Sequence, residues 1–299
     1  MGRYIFFLLS LSICFSACSP QKQYQQEIEQ LEESLSQKVD ADKASELQAA
    51  YLAYVERFPK DTLLNARYLY RSAGLSYRMQ DTPGALSAIH RALENYYASD
   101  NSLNNALLLA TLYREELQKN RVAYTILQGI KLAFPEAADE KALNLPNNIP
   151  GVFARLDTLR RQIFDESTYA INFPVANDYI TAVEEFARVA PEHPQTPELL
   201  FKAAEIARSI QTYQKAIDLF DWLEGRYPGH QRESQALFLK AFTLDDGMKD
   251  YESAKRAYET FIEKYPADPF ADDARFSLQN LGKDVEELIN EFEQREADQ

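Results

Sequence analysis

The chain has 299 residues, of which 26% are charged, 45% hydrophobic and 12% aromatic, so it can form one or two ordinary cores and is not intrinsically disordered. Nine glycines and thirteen prolines are too few for a low-complexity or turn-rich all-β chain, which leaves helix as the favoured structure. With 46 acidic against 32 basic side chains the formal net charge is −14, and such a surface repels phosphate backbones, so we expect no nucleic-acid partner.

Residues 1–17 have the features of an export signal. Arg3 supplies the positive charge, and the apolar run 4–15 is twelve residues long, whereas a transmembrane helix needs about 20. The next residues resemble the lipobox of bacterial lipoproteins, in which small residues permit cleavage and the cysteine becomes the lipidated first residue: Phe15, Ser16, Ala17 and Cys18. This resemblance implies that Cys18 carries the lipid, such as palmitate. The alternative is an ordinary secretory signal that ends in a small residue.

Cysteine usage agrees with a lipid tether at this position. The chain contains only Cys14 and Cys18, so the part that follows the signal has no internal disulfide. Several acyl chains hold a protein on a membrane stably, whereas one chain is marginal. Ser19 stands where lipoproteins of this kind carry an aspartate for retention at the inner membrane, and no acidic cluster follows soon after. The resemblance therefore implies the periplasmic face of the bacterial outer membrane.

The segment 18–39 is polar and rich in Gln and Glu. Its apolar residues are spaced by four, three and four positions: Tyr24, Ile28, Leu31 and Leu35. This pattern covers less than two heptads, which is too short for a coiled coil, so we interpret the segment as a polar tether or short helix.

From residue 40 onward an apolar pattern recurs every 34 to 38 residues. Its clearest copies are Tyr179, Ala182, Phe186, Val189 and Pro194; Tyr213, Ala216, Phe220, Leu223 and Pro228; and Tyr251, Ala254, Tyr258, Phe261 and Pro266. Positions i, i+3, i+7 and i+10 form one face of an α-helix, and the proline ends it. Upstream helices contribute one small residue each: Ala204 and Ala241 before the copies that begin at Tyr213 and Tyr251, and Ala73 and Thr111 before earlier copies at 85–97 and 123–135. The repeated unit is thus a pair of closely packed helices.

A helix pair with small residues at its eighth and twentieth positions, an aromatic at the twenty-fourth and a proline at the thirty-second resembles the tetratricopeptide repeat (TPR). The resemblance implies an all-α fold, a TPR α-solenoid in which antiparallel helix pairs form a right-handed superhelix behind the lipoprotein signal. The expected domains after 1–17 and 18–39 are an N-terminal TPR block at 40–135, a segment at 136–178, a C-terminal TPR block with a capping helix at 179–282, and a C-terminal helix with a charged tail at 283–299. The segment 136–178 breaks the register, and it is either an insertion between two blocks or an irregular repeat with a long internal turn.

The sequence contains no pattern typical of catalysis or of metal binding. His90, His193 and His230 fall in different repeats and lack metal-ligand spacing. Phosphate-binding glycine loops, dinucleotide-binding motifs and nucleophile elbows are also missing from the sequence. We expect no enzyme activity, no metal and no cofactor.

A TPR solenoid offers a different use, because its first helices line an extended concave surface that binds partners. The family template places the second, fifth, ninth and twelfth positions of each repeat on that groove. These positions carry Arg67, Tyr70, Tyr77, Leu108, Leu112, Phe201, Arg208, Phe238 and Phe242. Arginine and aromatic side chains are enriched in binding hot spots. The alternative is that the rings belong to the core.

Two kinds of lipidated or periplasmic repeat protein are similar to this chain: the BamD-type accessory lipoproteins of outer-membrane β-barrel assembly, and the periplasmic TPR protein of the Tol-Pal system. The similar runs are 223–228, Leu-Glu-Gly-Arg-Tyr-Pro, and 261–266, Phe-Ile-Glu-Lys-Tyr-Pro. The resemblance implies a non-catalytic, membrane-tethered scaffold that binds a protein or peptide partner in the cell envelope. The alternative is a helical lipoprotein that binds a glycan or nutrient, although the sole tryptophan, Trp222, lies beside the predicted core face of its helix.

Overall fold

The computed structural model describes residues 19–37, 40–99, 101–136, 143, 145–146, 148–165, 167–168, 170–283 and 287. The predicted signal and lipobox, residues 1–18, and nearly all of the predicted C-terminal helix and tail lie outside these ranges. The chain forms two compact units that divide between Asn101 and Ser102. No helix in the described ranges has both the length and the apolar character needed to cross a membrane.

The first unit contains four helices: α1 (Pro20–Gln37), α2 (Ala41–Arg57), α3 (Thr62–Arg78) and α4 (Thr82–Asn95). Each helix packs against the next in chain order. Asp40, Asp61 and Asp81 stand directly before α2, α3 and α4, and their carboxylates accept hydrogen bonds from backbone N–H groups of the first turn. These aspartates fix the starts of the three helices, because the first N–H groups of a helix have no partner within it.

Helix α1 packs onto α2 through both apolar and polar contacts. Ile28 is only 1% exposed. The side-chain amides of Gln21 and Gln25 each donate to the hydroxyl of Tyr54 at 2.9 Å, and that hydroxyl donates to Asp61 at 2.7 Å. The Tyr54 ring also meets Tyr68 edge to face, with centroids 4.9 Å apart. The polar N-terminal segment is therefore part of the packed first unit.

The second unit begins with α5 (Ser102–Thr111), α6 (Asn120–Ala133), α7 (Val152–Arg161) and α8 (Phe173–Val189). It continues with α9 (Thr196–Ser209), α10 (Tyr213–Arg226), α11 (Glu233–Phe242), α12 (Tyr251–Lys264) and α13 (Ala271–Gln279). From α8 to α13 each helix packs on the next. The two short strands β1 (Phe164–Asp165) and β2 (Ala170–Ile171) complete the described elements. The all-α helix-pair architecture expected from the sequence is confirmed.

The segment that breaks the repeat register contains α7 and the β-hairpin, which lead directly into α8. Helix α7 packs on α8, and the strands between them pair antiparallel with Phe164 opposite Ile171. Asp165 closes the hairpin turn by accepting hydrogen bonds from the N–H groups of Ser167 and Thr168 at 2.8 and 3.2 Å. Helices α7 and α8 thus form a helix pair, with the paired strands β1 and β2 between them in the chain. The predicted block boundaries stay predictions, and the division between Asn101 and Ser102 lies inside the predicted N-terminal block, 40–135.

Four turns between paired helices share one backbone feature. A residue other than glycine adopts a left-handed conformation in each turn: Gln80, Gln118, Gln211 and Lys249, with φ between 55° and 61°. A π-helical turn precedes two of these residues: Leu112–Glu116 precedes Gln118, and Thr243–Gly247 precedes Lys249. A π-turn accommodates one extra residue within a helix.

A buried polar network connects α8 with the π-turn after α5. The hydroxyl of Tyr113 donates to Oε1 of Glu185 at 2.8 Å, and Arg188 lies 3.3 Å from the same oxygen. Burial, together with the adjacent Glu185 carboxylate, raises the pKa of Tyr113 far above its ordinary value. The guanidinium of Arg188 lies 4.9 Å from the ring centroid of Trp222 on α10. The π-turn, α8 and α10 are thus joined through the side chains of Tyr113, Glu185, Arg188 and Trp222.

Candidate partner-binding surfaces

In the first unit, the predicted groove residues lie on the side of α3 that faces away from its core. Leu69 and Ala73 are fully buried on the opposite side of the helix. Arg67 is exposed, and Tyr70 and Tyr77 are half-buried. The three side chains therefore lie on the exposed part of α3, away from the face of Leu69 and Ala73 that packs in the first unit.

The charges on α3 all have one sign. The helix carries three arginines and no carboxylate. Arg71 forms an ion pair with Glu32 of α1, and Glu32 also accepts a hydrogen bond of 2.7 Å from the hydroxyl of Tyr51. Arg67 and Arg78 form no hydrogen bond or ion pair with any residue in the described ranges. Sequence reasoning selected Arg67 but missed Arg71 and Arg78, which follow it at helical spacing.

In the second unit, the structure brings two predicted groove residues together. The guanidinium of Arg208, near the end of α9, lies 5.2 Å from the ring centroid of Phe242 at the end of α11. Both side chains are half-buried. A cation above an aromatic ring is attracted by the negative face of the ring, so each side chain orients the other. The pair spans two consecutive first helices of the repeats.

The prediction that Phe201 lines an accessible groove is wrong. Its side chain is 1% exposed, because the guanidinium of Arg232 covers the ring at 4.8 Å. Arg232 is held there by two hydrogen bonds to the carboxylate of Glu198, of 2.9 and 3.1 Å. These hydrogen bonds also lower the pKa of the Glu198 carboxyl below its ordinary value. In the sequence, only the opposite charges of Glu198 and Arg232, one repeat length apart, indicate that the Phe201 ring is covered.

Two other predicted positions contribute mainly to packing. The ring of Phe238 stacks on Phe270 with centroids 4.9 Å apart and lies 5.6 Å from Phe261, at the edge of the core formed by α11, α12 and α13. Leu112 is fully buried in its π-turn, whereas Leu108 is half-buried. The core interpretation therefore applies to Leu112 and to the packed side of Phe238.

His193 and His230 both make local contacts that support the turns in which they lie. The His193 ring lies 4.9 Å from that of Phe153, and its Nδ1 accepts a hydrogen bond from the N–H of Gln195. His230 accepts in the same way from the N–H of Arg232. In the part of the chain that the structure describes, no group of three or more His, Cys, Asp or Glu side chains is placed to hold a metal ion.

A family model for the tetratricopeptide repeat matches residues 235–268, which include most of α11, its π-turn and α12. No curated protein matches the chain. The match covers one repeat, and within each of the two units most helices likewise pack on the next in chain order. The described chain is therefore an all-α fold of helix pairs that contains a tetratricopeptide repeat, and such repeats generally bind other proteins.

Proposed function

We propose that this protein is a non-catalytic scaffold of the bacterial cell envelope, tethered by lipid at Cys18, which binds a protein or peptide partner on the exposed faces of its first helices. The observation that carries the proposal is the position of Arg208 over Phe242. Each of the two belongs to a residue type enriched in binding hot spots, and the stacking orders them before any partner arrives. A partner that contacts this pair pays less entropy for ordering them.

The sequence around Cys18 supports the proposed tether, and the position of α1 would set its length. Only Ser19 lies between that cysteine and the first residue of α1, and α1 packs onto α2. Two residues span at most about 7 Å of extended chain. A lipid on Cys18 therefore holds the first unit directly at the membrane surface. The periplasmic face of the outer membrane, and a role in outer-membrane protein assembly, are the location and process that we propose.

The glycan-binding alternative requires an accessible aromatic platform. The only tryptophan of the chain, Trp222, has its ring covered by the guanidinium of Arg188. Trp222 is half-buried, and Arg188 occupies one face of its ring, so it is not a free flat platform for a sugar. We therefore prefer a polypeptide partner for this protein.

Co-purification of the full chain from native membranes tests the scaffold. An affinity-tagged chain is cross-linked in cells, and captured proteins from wild type and from the Arg208→Ala/Phe242→Ala variant are compared by mass spectrometry. A partner that uses this surface is lost from the variant. The matched control is Tyr251→Ala/Arg256→Ala, which removes an exposed aromatic and an exposed arginine from α12. If wild type and both variants capture the same proteins, Arg208 and Phe242 do not form the binding surface.

A separate experiment tests the tether. Cells are labelled with radioactive palmitate, and label and membrane association are compared between wild type and Cys18→Ser. We expect both to be lost in the variant. Equal labelling of the two chains, or an unlabelled wild type, overturns the lipid anchor while leaving the scaffold proposal to the co-purification result.

A further inference from the structure

The exposed face of α3 is a narrow cationic stripe on an acidic protein. Arg67, Arg71 and Arg78 are separated by four and seven residues, a spacing that places them along one side of a helix. The helix carries no carboxylate, although acidic side chains outnumber basic ones by 46 to 32 in the chain. The charge of α3 is thus opposite to that of the protein as a whole.

The middle of the stripe is open. A Cβ atom at Gly74 would have no neighbouring atom within 4 Å, so the helix backbone there is accessible to a partner. Tyr70 and Tyr77 stand four residues before and three residues after this glycine, and both are half-buried. The two rings therefore flank the open position on one side, while the arginines continue along the helix.

The charges at the two ends of the stripe remain uncompensated. Arg71 is neutralised by Glu32, whereas Arg67 and Arg78 have no carboxylate partner among the described residues. Arg67 and Arg78 are eleven positions apart, which corresponds to about 16 Å along the helix axis. An extended chain rises about 3.3 Å per residue, so about five residues of a bound segment cover this distance.

The geometry points to an acidic polypeptide segment as the ligand of this face, with carboxylates on Arg67 and Arg78 and an apolar or aromatic side chain against Tyr70 and Tyr77. Arginine binds carboxylates through two parallel N–H donors, and its charge-assisted hydrogen bonds are stronger than neutral ones. This inference rests on the proposed function, since it names the chemistry of the partner that the scaffold binds.

A polypeptide fits the stripe better than an anionic bilayer or a nucleic acid. A flat lipid surface requires a broad cationic face, but this stripe is one helix wide and Glu32 of α1 adjoins it. The net charge of −14 repels long polyanions. A short segment with spaced carboxylates meets the two free guanidinium groups without approaching the acidic remainder of the protein.

Selection from a library of random twelve-residue peptides on the immobilised full chain tests the inference. We expect peptides with two or more Asp or Glu residues and an aromatic residue to be enriched about tenfold over the starting library. The Arg67→Gln/Arg78→Gln variant should bind the selected peptides about tenfold more weakly in a fluorescence titration, because two charge-assisted contacts are lost. The control is Arg57→Gln/Arg91→Gln, which removes two positive charges from α2 and α4 and should retain binding.

Several outcomes overturn the inference. These are the enrichment of neutral or basic peptides, the absence of any enrichment, and equal losses in the two double variants. Phosphatidylglycerol vesicles form a second arm, and vesicle binding that needs Arg67 and Arg78 while acidic peptides bind weakly identifies the face as a lipid site instead. If the peptide result fails but capture that depends on Arg208 and Phe242 persists, only the α3 inference is lost. If both fail, the scaffold function is lost as well.

Discussion

Replacing Tyr113 by phenylalanine tests whether the buried polar network holds the repeats of the second unit together. The change removes one hydroxyl and keeps the ring in its packed position. The lost hydrogen bond, 2.8 Å long, reaches a carboxylate on Glu185 that is only 2% exposed. The two residues are 72 positions apart in the chain, so the bond joins distant helices.

The expected cost follows from the burial and charge of the acceptor. A hydrogen bond to a charged group contributes about 1.5 to 3 kcal/mol. Arg188 still faces the same oxygen of Glu185 at 3.3 Å, so the carboxylate keeps a charged neighbour after the substitution. We therefore expect the free energy of unfolding to fall by about 2 kcal/mol, which lowers the melting temperature by about 4 to 8 °C in a unit of this size.

Urea unfolding followed by far-UV circular dichroism measures this effect. The control is Tyr213→Phe, whose hydroxyl makes no hydrogen bond to any described residue, so its unfolding free energy should change by less than about 0.5 kcal/mol. Combining Tyr113→Phe with Glu185→Gln should cost less than the sum of the single changes, since both act on one bond. If the Tyr113→Phe and Tyr213→Phe variants unfold with the same urea midpoint, the hydrogen bond of Tyr113 adds no stability.

Three further changes probe packing and charge elsewhere. Phe261→Ala, at a fully buried site, should lower the free energy of unfolding by about 3 to 5 kcal/mol in urea titrations; a loss below about 1 kcal/mol contradicts the described packing. Ile28→Ala should cost about 2 to 5 kcal/mol and speed proteolysis within α1, and unchanged cleavage would mean that α1 is not held by this contact. Burial alone raises the pKa of Glu233, but the ion pair with Lys264 and the hydrogen bond from the Gly229 N–H outweigh it and lower the pKa below its ordinary value. The stabilisation from Glu233 is therefore present above the unfolded pKa of about 4.3 and disappears as the pH falls through the lowered value, so the urea midpoints of wild type and Glu233→Gln should converge in acid; a constant difference refutes this assignment.

The helices could be predicted from sequence because their apolar pattern is local. Tyr179, Ala182 and Phe186 recur at helical spacing, and all three are at most 1% exposed. A stripe of this kind identifies the buried face without knowledge of any neighbour. The repeat period then predicts how successive helices pair.

The surface residues were harder to predict because their exposure depends on distant neighbours. Phe201 occupies a groove position of its repeat, but Arg232 covers it from the following repeat. Arg208 and Phe242 become a pair only because α9 and α11 come close in the folded unit. Long side chains from neighbouring repeats thus decide which aromatic ring is covered and which stays accessible. Helical periodicity within one repeat does not indicate where these side chains lie.

The docking of α1 onto α2 has a mechanical consequence for a protein anchored at Cys18. When a bound partner pulls away from the bilayer, the tension passes through Ser19 into the start of α1 and loads the hydrogen bonds of Gln21 and Gln25 to Tyr54. Those bonds join α1 to the interior of the first unit, so in an anchored protein they would bear the force before the later helices do. Peeling of α1 would lengthen the connection to the membrane and relieve the strain while the partner stays bound.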